Sequence, residues 1–245
     1  MLPELYHAHH SRHMEDLPFW LNLAARQGSP LLELGCGTGR LLIPLAQAGF
    51  KTLGMDYDPD MLRYLKKNIP LAAGCEPLLI LADISHFSLG KQFPLVILPC
   101  NTYSTLPEVS RRGCLRCVHQ VLQPGGLFAA SLPNPALLKS LPAHADIELE
   151  DEFSHPITGN PVQVSSAWQR TGKTFTVTWI YDHLFADGHV ERHKQKASHY
   201  LIPVDEYAVE IQAAGMKIRA MYGDFDRSTY AADSPLLILL AESVC

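Results

Sequence analysis

One stretch constrains this chain more than any other: Leu31-Leu32-Glu33-Leu34-Gly35-Cys36-Gly37-Thr38-Gly39-Arg40. An apolar run of strand character passes into three glycines at alternate positions, and a helical pattern begins near Arg40. Glycine lets the backbone turn sharply and approach a ligand with no Cβ in the way. The same turn leaves N–H groups aimed outward. A dinucleotide site wants G-x-G-x-x-G, so that a pyrophosphate can rest on a helix N-terminus. Here the spacing is G-x-G-x-G, and Glu33 stands two residues before the first glycine. That carboxylate would repel a pyrophosphate and suits a cationic ligand. An NAD(P)-binding oxidoreductase, the alternative on a related fold, is disfavoured on both counts.

Around this loop the chain divides into zones. Residues 1–29 are His-rich and then amphipathic, with Leu17, Trp20, Leu21 and Ala24 at helical spacing, and read as a helical cap. From 30 to 135 short apolar runs (Leu31–Leu34, Phe50–Met55, Leu78–Leu81, Leu95–Pro99, Leu127–Leu132) alternate with helical stretches starting near Arg40, Asp58 and Pro107. Continuous apolar strands separated by helices indicate an α/β, doubly wound, mostly parallel sheet. Residues 153–200 break the pattern with three strand-like runs, Val162–Gln169, Lys173–Ala186 and His189–Ile202. Turns at Thr171-Gly172 and Asp187-Gly188 join them into an antiparallel β insert, the second turn expected to hold both central residues at positive φ. The α/β pattern resumes over 204–245, with Asp205 as a helix cap, Gly215 as the stop, and final strands at Met216–Tyr222 and Leu236–Ala241. The whole, 1–245, reads as a single domain.

With these landmarks in order, the chain resembles the class I S-adenosylmethionine-dependent methyltransferases, whose first motif reads close to Glu/Asp-x-Gly-x-Gly-x-Gly. The resemblance covers about 30–135 and 204–242. It implies a Rossmann-like sheet of seven strands, parallel except for the last, and S-adenosylmethionine as cofactor with S-adenosylhomocysteine as product. It also implies roles. Glu33, Gly35, Cys36, Gly37, Thr38 and Gly39 form the cofactor loop, with Cys36 contributing backbone. Asp56, followed by Tyr57, accepts the ribose hydroxyls, and Met61 packs on the adenine. Ala82-Asp83-Ile84 contacts the adenine, Asp83 accepting from its exocyclic amine. Pro99 and Asn101, in Pro99-Cys100-Asn101-Thr102, offer carbonyls to the methionine amino group. Leu122-Gln123-Pro124-Gly125-Gly126 precedes the fifth strand. Tyr6 matches a tyrosine that folds over the cofactor and is a candidate active-site residue; no other catalytic group is assigned.

The expected activity is in-line methyl transfer to an unidentified small-molecule acceptor. A non-catalytic sensor or scaffold that binds the cofactor is the alternative from another class. Transfer from a sulfonium needs placement and exclusion of water more than a triad. Asp56→Ala is expected to weaken cofactor binding and leave the ligand-free protein's stability unchanged.

Apolar residues at 47% and charged residues at 18% fit a globular enzyme rather than a disordered chain. The formal charge of −5 includes no Lys/Arg block, and Arg192-His193-Lys194-Gln195-Lys196 reads as a solvated face, so no nucleic-acid partner is expected. No apolar run is long enough to span a bilayer, and Met1-Leu2-Pro3-Glu4 lacks the character of a signal peptide. Six irregularly spaced cysteines do not suggest a disulfide framework, so the expected compartment is the cytoplasm. An oligomer is compatible with the sequence but not indicated by it. His9 and His13 stand at i, i+4, yet no carboxylate or cysteine follows at metal-ligand spacing, so no metal site is expected. Cys114-Leu115-Arg116-Cys117 reads as helix packing. The face Phe175/Val177/Trp179/Tyr181 reads as packing for the insert, with an acceptor pocket as the other use.

Overall fold

The computed structural model describes residues 3–69 and 76–244. Strands β1 (Leu31–Leu34), β2 (Thr52–Asp56) and β4 (Phe93–Leu98) are buried at every position. Such runs need cover on both faces, which a parallel sheet flanked by helices supplies. With β3 (Leu78–Leu81), β5 (Leu122–Pro133), β10 (Met216–Tyr222) and β11 (Leu236–Ser243) they form a seven-stranded sheet of order β3-β2-β1-β4-β5-β11-β10. β1 to β5 pair in parallel, and β11 runs antiparallel to both its neighbours.

On one face, Phe19, Trp20 and Leu23 of α2 (Leu17–Gln27) and Leu45 of α3 (Leu42–Gln47) pack on Leu31, Leu95 and Ile238. The fully inward positions of α2 are Phe19, Trp20, Leu23 and Ala24, whereas Leu17 and Leu21 flank that stripe. On the other face, Leu115 and Val118 of α6 (Glu108–Val121) join Tyr207 and Ile211 of α8 (Val204–Ala213) over Val96, Phe128 and Leu239. Cys114 belongs to that core, and Cys117 beside it accepts a hydrogen bond from Phe87 N–H. α4 (Pro59–Asn68) begins as expected: Asp58 caps it by accepting from Asp60 and Met61 N–H, and Pro59 fills the first turn. Asp205 does not cap α8. Pro203 holds that position, and Asp205 sits in the first turn, where a carboxylate still opposes the helix dipole.

The insert is larger than the three strands expected from 153. Four antiparallel strands, β6 (His144–Ser154), β7 (Pro161–Thr171), β8 (Thr174–Leu184) and β9 (Val190–Tyr200), pair in sequence order. β6 escaped the sequence reading because its HADIELEDEFS is charged and largely exposed, as an edge strand tolerates. Of Asp187-Gly188 only Gly188 has positive φ, since the connection is a longer loop closed by Phe185 N–H on His189 O.

The helix α1 (Pro3–His10) bridges the insert and α4: Leu5 packs on Val162, Val164 and Tyr181 of the insert, while the His7 ring sits tilted against Tyr64 of α4. Short helices α5 (Thr102–Thr105) and α7 (Pro135–Ser140) follow β4 and β5. No helix among the described residues is long and apolar enough to cross a membrane.

Candidate active site

Strand order reverses between β1 and β4, and ligands of open α/β sheets bind beyond the carboxyl ends at such a point. There the chain leaves β1 through Gly35 and Gly37, with φ of 66° and 50°. A Cβ built on Gly37 would meet nothing nearer than Tyr6 Cε1 at 4.0 Å, so this glycine faces open space. Gly39 serves packing instead: a Cβ there would overlap Leu65 of α4. Asp56, at the end of β2, braces the loop from below. Its Oδ2 accepts Gly37 N–H at 2.7 Å and its Oδ1 accepts Asp58 N–H at 2.9 Å. Burial raises its pKa, and these N–H groups oppose the rise.

Beyond the loop lies a cavity of about 700 Å³ lined by Gly35, Gly37, Asp56, Tyr57, Met61, Asp83 and Ile84. Seven of the residues expected around the cofactor therefore share one wall. Asp83 Oδ1 accepts from Ser85 N–H and Oγ, which lowers its pKa, and the exposed carboxylate lines the cavity. Six others, Asn101 among them, do not line it. Thr38 bonds His7, with Oγ1 3.0 Å from Nδ1, and the Cys36 thiol packs with Leu42, Leu62 and Leu65. Gly39 meets α4, Pro99 O turns toward Thr102 N–H, and Glu33 is sealed within β1.

Glu33 is the electrostatic anomaly of the site. Burial lifts its pKa to about 8, Arg40 lowers it in part, and the Asp16 and Asp56 charges add to the rise. Its Oε2 has no hydrogen-bond partner. A buried carboxylate without a partner is costly, and a nearby cation relieves the cost.

A second cavity, about 380 Å³, adjoins the first and is lined by His10, His13, Glu15, Asp16, Arg40, Cys100, Asn101, Ser131, Trp179, Ala197, His199, Phe225 and Leu236. Tyr6, Thr102, Thr105 and Gln195 line both cavities. Asn101 thus belongs to the second cavity rather than to the cofactor wall. Gln195, inside the run read as a solvated face, points inward, while its neighbour Arg192 pairs outside with Asp182 at 2.6 Å. The aromatic face of β8 divides: Trp179 lines the cavity edge-on to His10, Phe175 stacks on Trp168, and Tyr181 is buried against His9.

Two features of this second cavity carry no local sequence signal. Arg40, directly after the glycine loop, forms a two-pronged ion pair with Asp16 at 2.7 and 2.6 Å. It also donates to His13 O and to the Cys100 thiol, tying the N-terminal segment to the loop after β4. In that loop Cys100 and Asn101 both have positive φ, 59° and 64°. Consecutive left-handed non-glycine residues cost energy and persist where the surroundings impose them, often at functional sites. The turn presents Asn101 O to Ser104 Oγ, which donates to it at 2.8 Å, leaving the hydroxyl to accept Nδ1–H of His199 at 2.8 Å. With the Ser104 hydrogen on Asn101 O, the ring donates from Nδ1 and Nε2 of His199 carries the lone pair. Burial lowers the pKa of His199 to about 4, so the ring is neutral at pH 7.

The residues present suit S-adenosylmethionine. An orphaned carboxylate lies beneath the loop for a cation, a carboxylate at the end of β2 borders the larger cavity, and Gly37 leaves the space a Cβ would fill. Known proteins agree. A family model described as a methyltransferase domain matches residues 31–126. YqeM of Bacillus subtilis (strain 168), a protein named as a methyltransferase, is 23% identical over 234 residues, 91% of this chain and 87% of its own. A crystal structure of an S-adenosylmethionine-dependent methyltransferase from Clostridium acetobutylicum superposes with a TM-score of 0.81 at 14% identity, covering 95% of this chain and 93% of that one. The sugar N-methyltransferase KedS8 from Streptoalloteichus superposes with a TM-score of 0.78 at 18% identity, covering 100% and 94%. Glycine loop, strand order and matched domain converge: residues 31–126 match a methyltransferase domain, and the chain has the fold of S-adenosylmethionine-dependent methyltransferases.

Proposed function

We propose that this enzyme methylates an amine nitrogen of a polar small molecule seated in the 380 Å³ cavity. The observation that carries the reading is the junction: Tyr6, Thr102, Thr105 and Gln195 border both cavities, so donor and acceptor would meet there. S-adenosylmethionine supplies an electrophilic methyl group on a sulfonium when bound. The protein's own work is to place the nucleophile in line and exclude water.

The acceptor wall fits an amine. Gln195, Asn101 and neutral His199 Nε2 offer hydrogen-bond acceptors beside Trp179 and Phe225. An N–H bonded to His199 Nε2 would turn the nitrogen lone pair toward the junction, and with its pKa lowered to about 4 the ring orients the amine while the proton leaves to solvent. Tyr6, whose phenol burial holds above its ordinary pKa, remains a donor beside both cavities. The fold shared with a sugar N-methyltransferase supports this acceptor class. In this reading Glu33, Gly35, Gly37, Asp56, Tyr57, Met61, Asp83 and Ile84 hold the cofactor, and the insert roofs the acceptor side of one domain. Among the described cysteines all four are free thiols, in keeping with the cytoplasm.

The test is product formation from labelled S-adenosylmethionine with aminosugars, free and nucleotide-linked, and their matched hydroxyl analogues. N-methylated product from the amines alone is expected. His199→Ala should then lower kcat on the order of 10²-fold, the scale of a misplaced nucleophile, with S-adenosylhomocysteine affinity unchanged. Methylation of the hydroxyl analogues in place of the amines would overturn the amine reading. Tight cofactor binding with no acceptor turned over would favour a sensor.

A further inference from the structure

Three side chains distant in sequence converge where the N-terminal segment meets the insert. His9 and His13 come from that segment and Asp151 from β6, and one ligand-type atom of each lies within 4.8 Å of the others. The two imidazoles stand edge-to-face with centroids 6.1 Å apart. His9 is buried, and its Nδ1 lies 3.0 Å from Tyr181 Oη. This contact occupies one ring nitrogen and leaves Nε2 available, the arrangement in which an outer partner orients a metal-bound histidine. Asp151 is set by the sheet. The register of β6 against β7 shifts between Leu149 and Asp151, and such an irregularity re-aims a side chain.

We propose that His9, His13 and Asp151 bind a divalent cation of the zinc type, clasping the N-terminal segment to the insert sheet. Two imidazoles and one carboxylate suit zinc and leave a fourth position for water or an acceptor group. Ligand atoms about 2.0–2.1 Å from a tetrahedral ion stand roughly 3.4 Å apart. The cluster would therefore close by about 1 Å of side-chain movement, and His13, with 60% of its side chain exposed, has the room. Arg12 opposes the ion: its Nη1 lies 3.3 Å from Asp151 Oδ2 and donates to Glu152 O. The consequence is local to the acceptor side, because His10 and His13 line the smaller cavity and a bound ion would fix that wall.

Calorimetric titration of the full chain with zinc chloride, in a buffer that does not chelate zinc, tests this. One ion per chain is expected, with affinity falling at least about tenfold in His13→Ala and in Asp151→Asn, the scale of losing a supporting partner or more. Arg12→Ala should bind more tightly, because it removes the competing cation. His189→Ala should bind as the wild type does; that exposed histidine stands beside Asp187 and Glu191 in a separate group of imidazole and carboxylates. Absence of a binding heat, or binding that survives both His13→Ala and Asp151→Asn, would overturn the proposal. So would binding that vanishes in His189→Ala.

Discussion

Glu33 links the cofactor site to pH. Its folded pKa, about 8, lies above the ordinary 4.5, so between those values the folded chain holds more protons than the unfolded one. Stability is then fully present below about pH 4.5 and is lost as pH rises toward 8, at up to about 1.4 kcal/mol per pH unit. Thermal melts without ligand should show that slope, and Glu33→Gln should flatten it. A cationic amino group near the loop would draw the carboxyl into its charged form. S-adenosylhomocysteine binding near pH 7 should therefore release a proton, read as a calorimetric heat that changes with the buffer's ionisation enthalpy. Buffer-independent heats would show that Glu33 does not sense the ligand. Asp56 braces the loop as well as bordering the larger cavity, so its removal should also affect the ligand-free protein, contrary to the expectation from sequence. Its carboxylate already accepts two backbone N–H groups, from Gly37 and Asp58. Asp56→Ala should cost about 1.5–3 kcal/mol of S-adenosylhomocysteine binding and a comparable amount of ligand-free stability, the scale for hydrogen bonds to a charged group. A melt unchanged alongside weakened binding would mean the loop keeps its shape without that brace.

At the scale of elements, the N-terminal segment is held by one concentrated interaction. α1 touches the insert through Leu5 and α4 through His7, while the Arg40–Asp16 pair fastens the stretch between α1 and α2 to the glycine loop. The pair is mostly buried, with 14% and 8% of the two side chains exposed, so removing one partner strands the other charge. Asp16→Ala should lower stability by about 3 kcal/mol or more. It should also speed hydrogen exchange across α1 before the sheet strands are affected, which exchange mass spectrometry would read. Equal protection of α1 in both proteins would assign the anchoring to Leu5 instead. The sequence shows Asp16 only as a residue ahead of an amphipathic helix and Arg40 only as the end of a motif. Nothing local announces that they meet.

Across the whole molecule, what was legible in the sequence is what short-range physics fixes. The glycine loop, the buried strands and the helix start at Asp58-Pro59 follow from φ preferences, continuous apolar runs and capping within a few residues. So does the meander, through its period-two alternation, although its charged outer strand carried no such pattern. Their order also carried the resemblance to methyltransferases, and hence the wall of the larger cavity. The smaller cavity was legible only at Tyr6 and Trp179, because its other parts come from different zones of the chain: Asp16, Arg40, Ser131, Gln195 and His199. Each looks ordinary where it stands, and a pairing such as His199 with Ser104 exists only once β9 has folded against α5. The same holds for Asp151, which meets His9 and His13 across the gap between the two sheets. By itself the sequence determined the class of fold and the glycine loop, because these rest on local backbone conformation and on the burial pattern within each element. Only the tertiary structure decided which side chains line the smaller cavity, because that depends on how α1 and the insert close over the sheet.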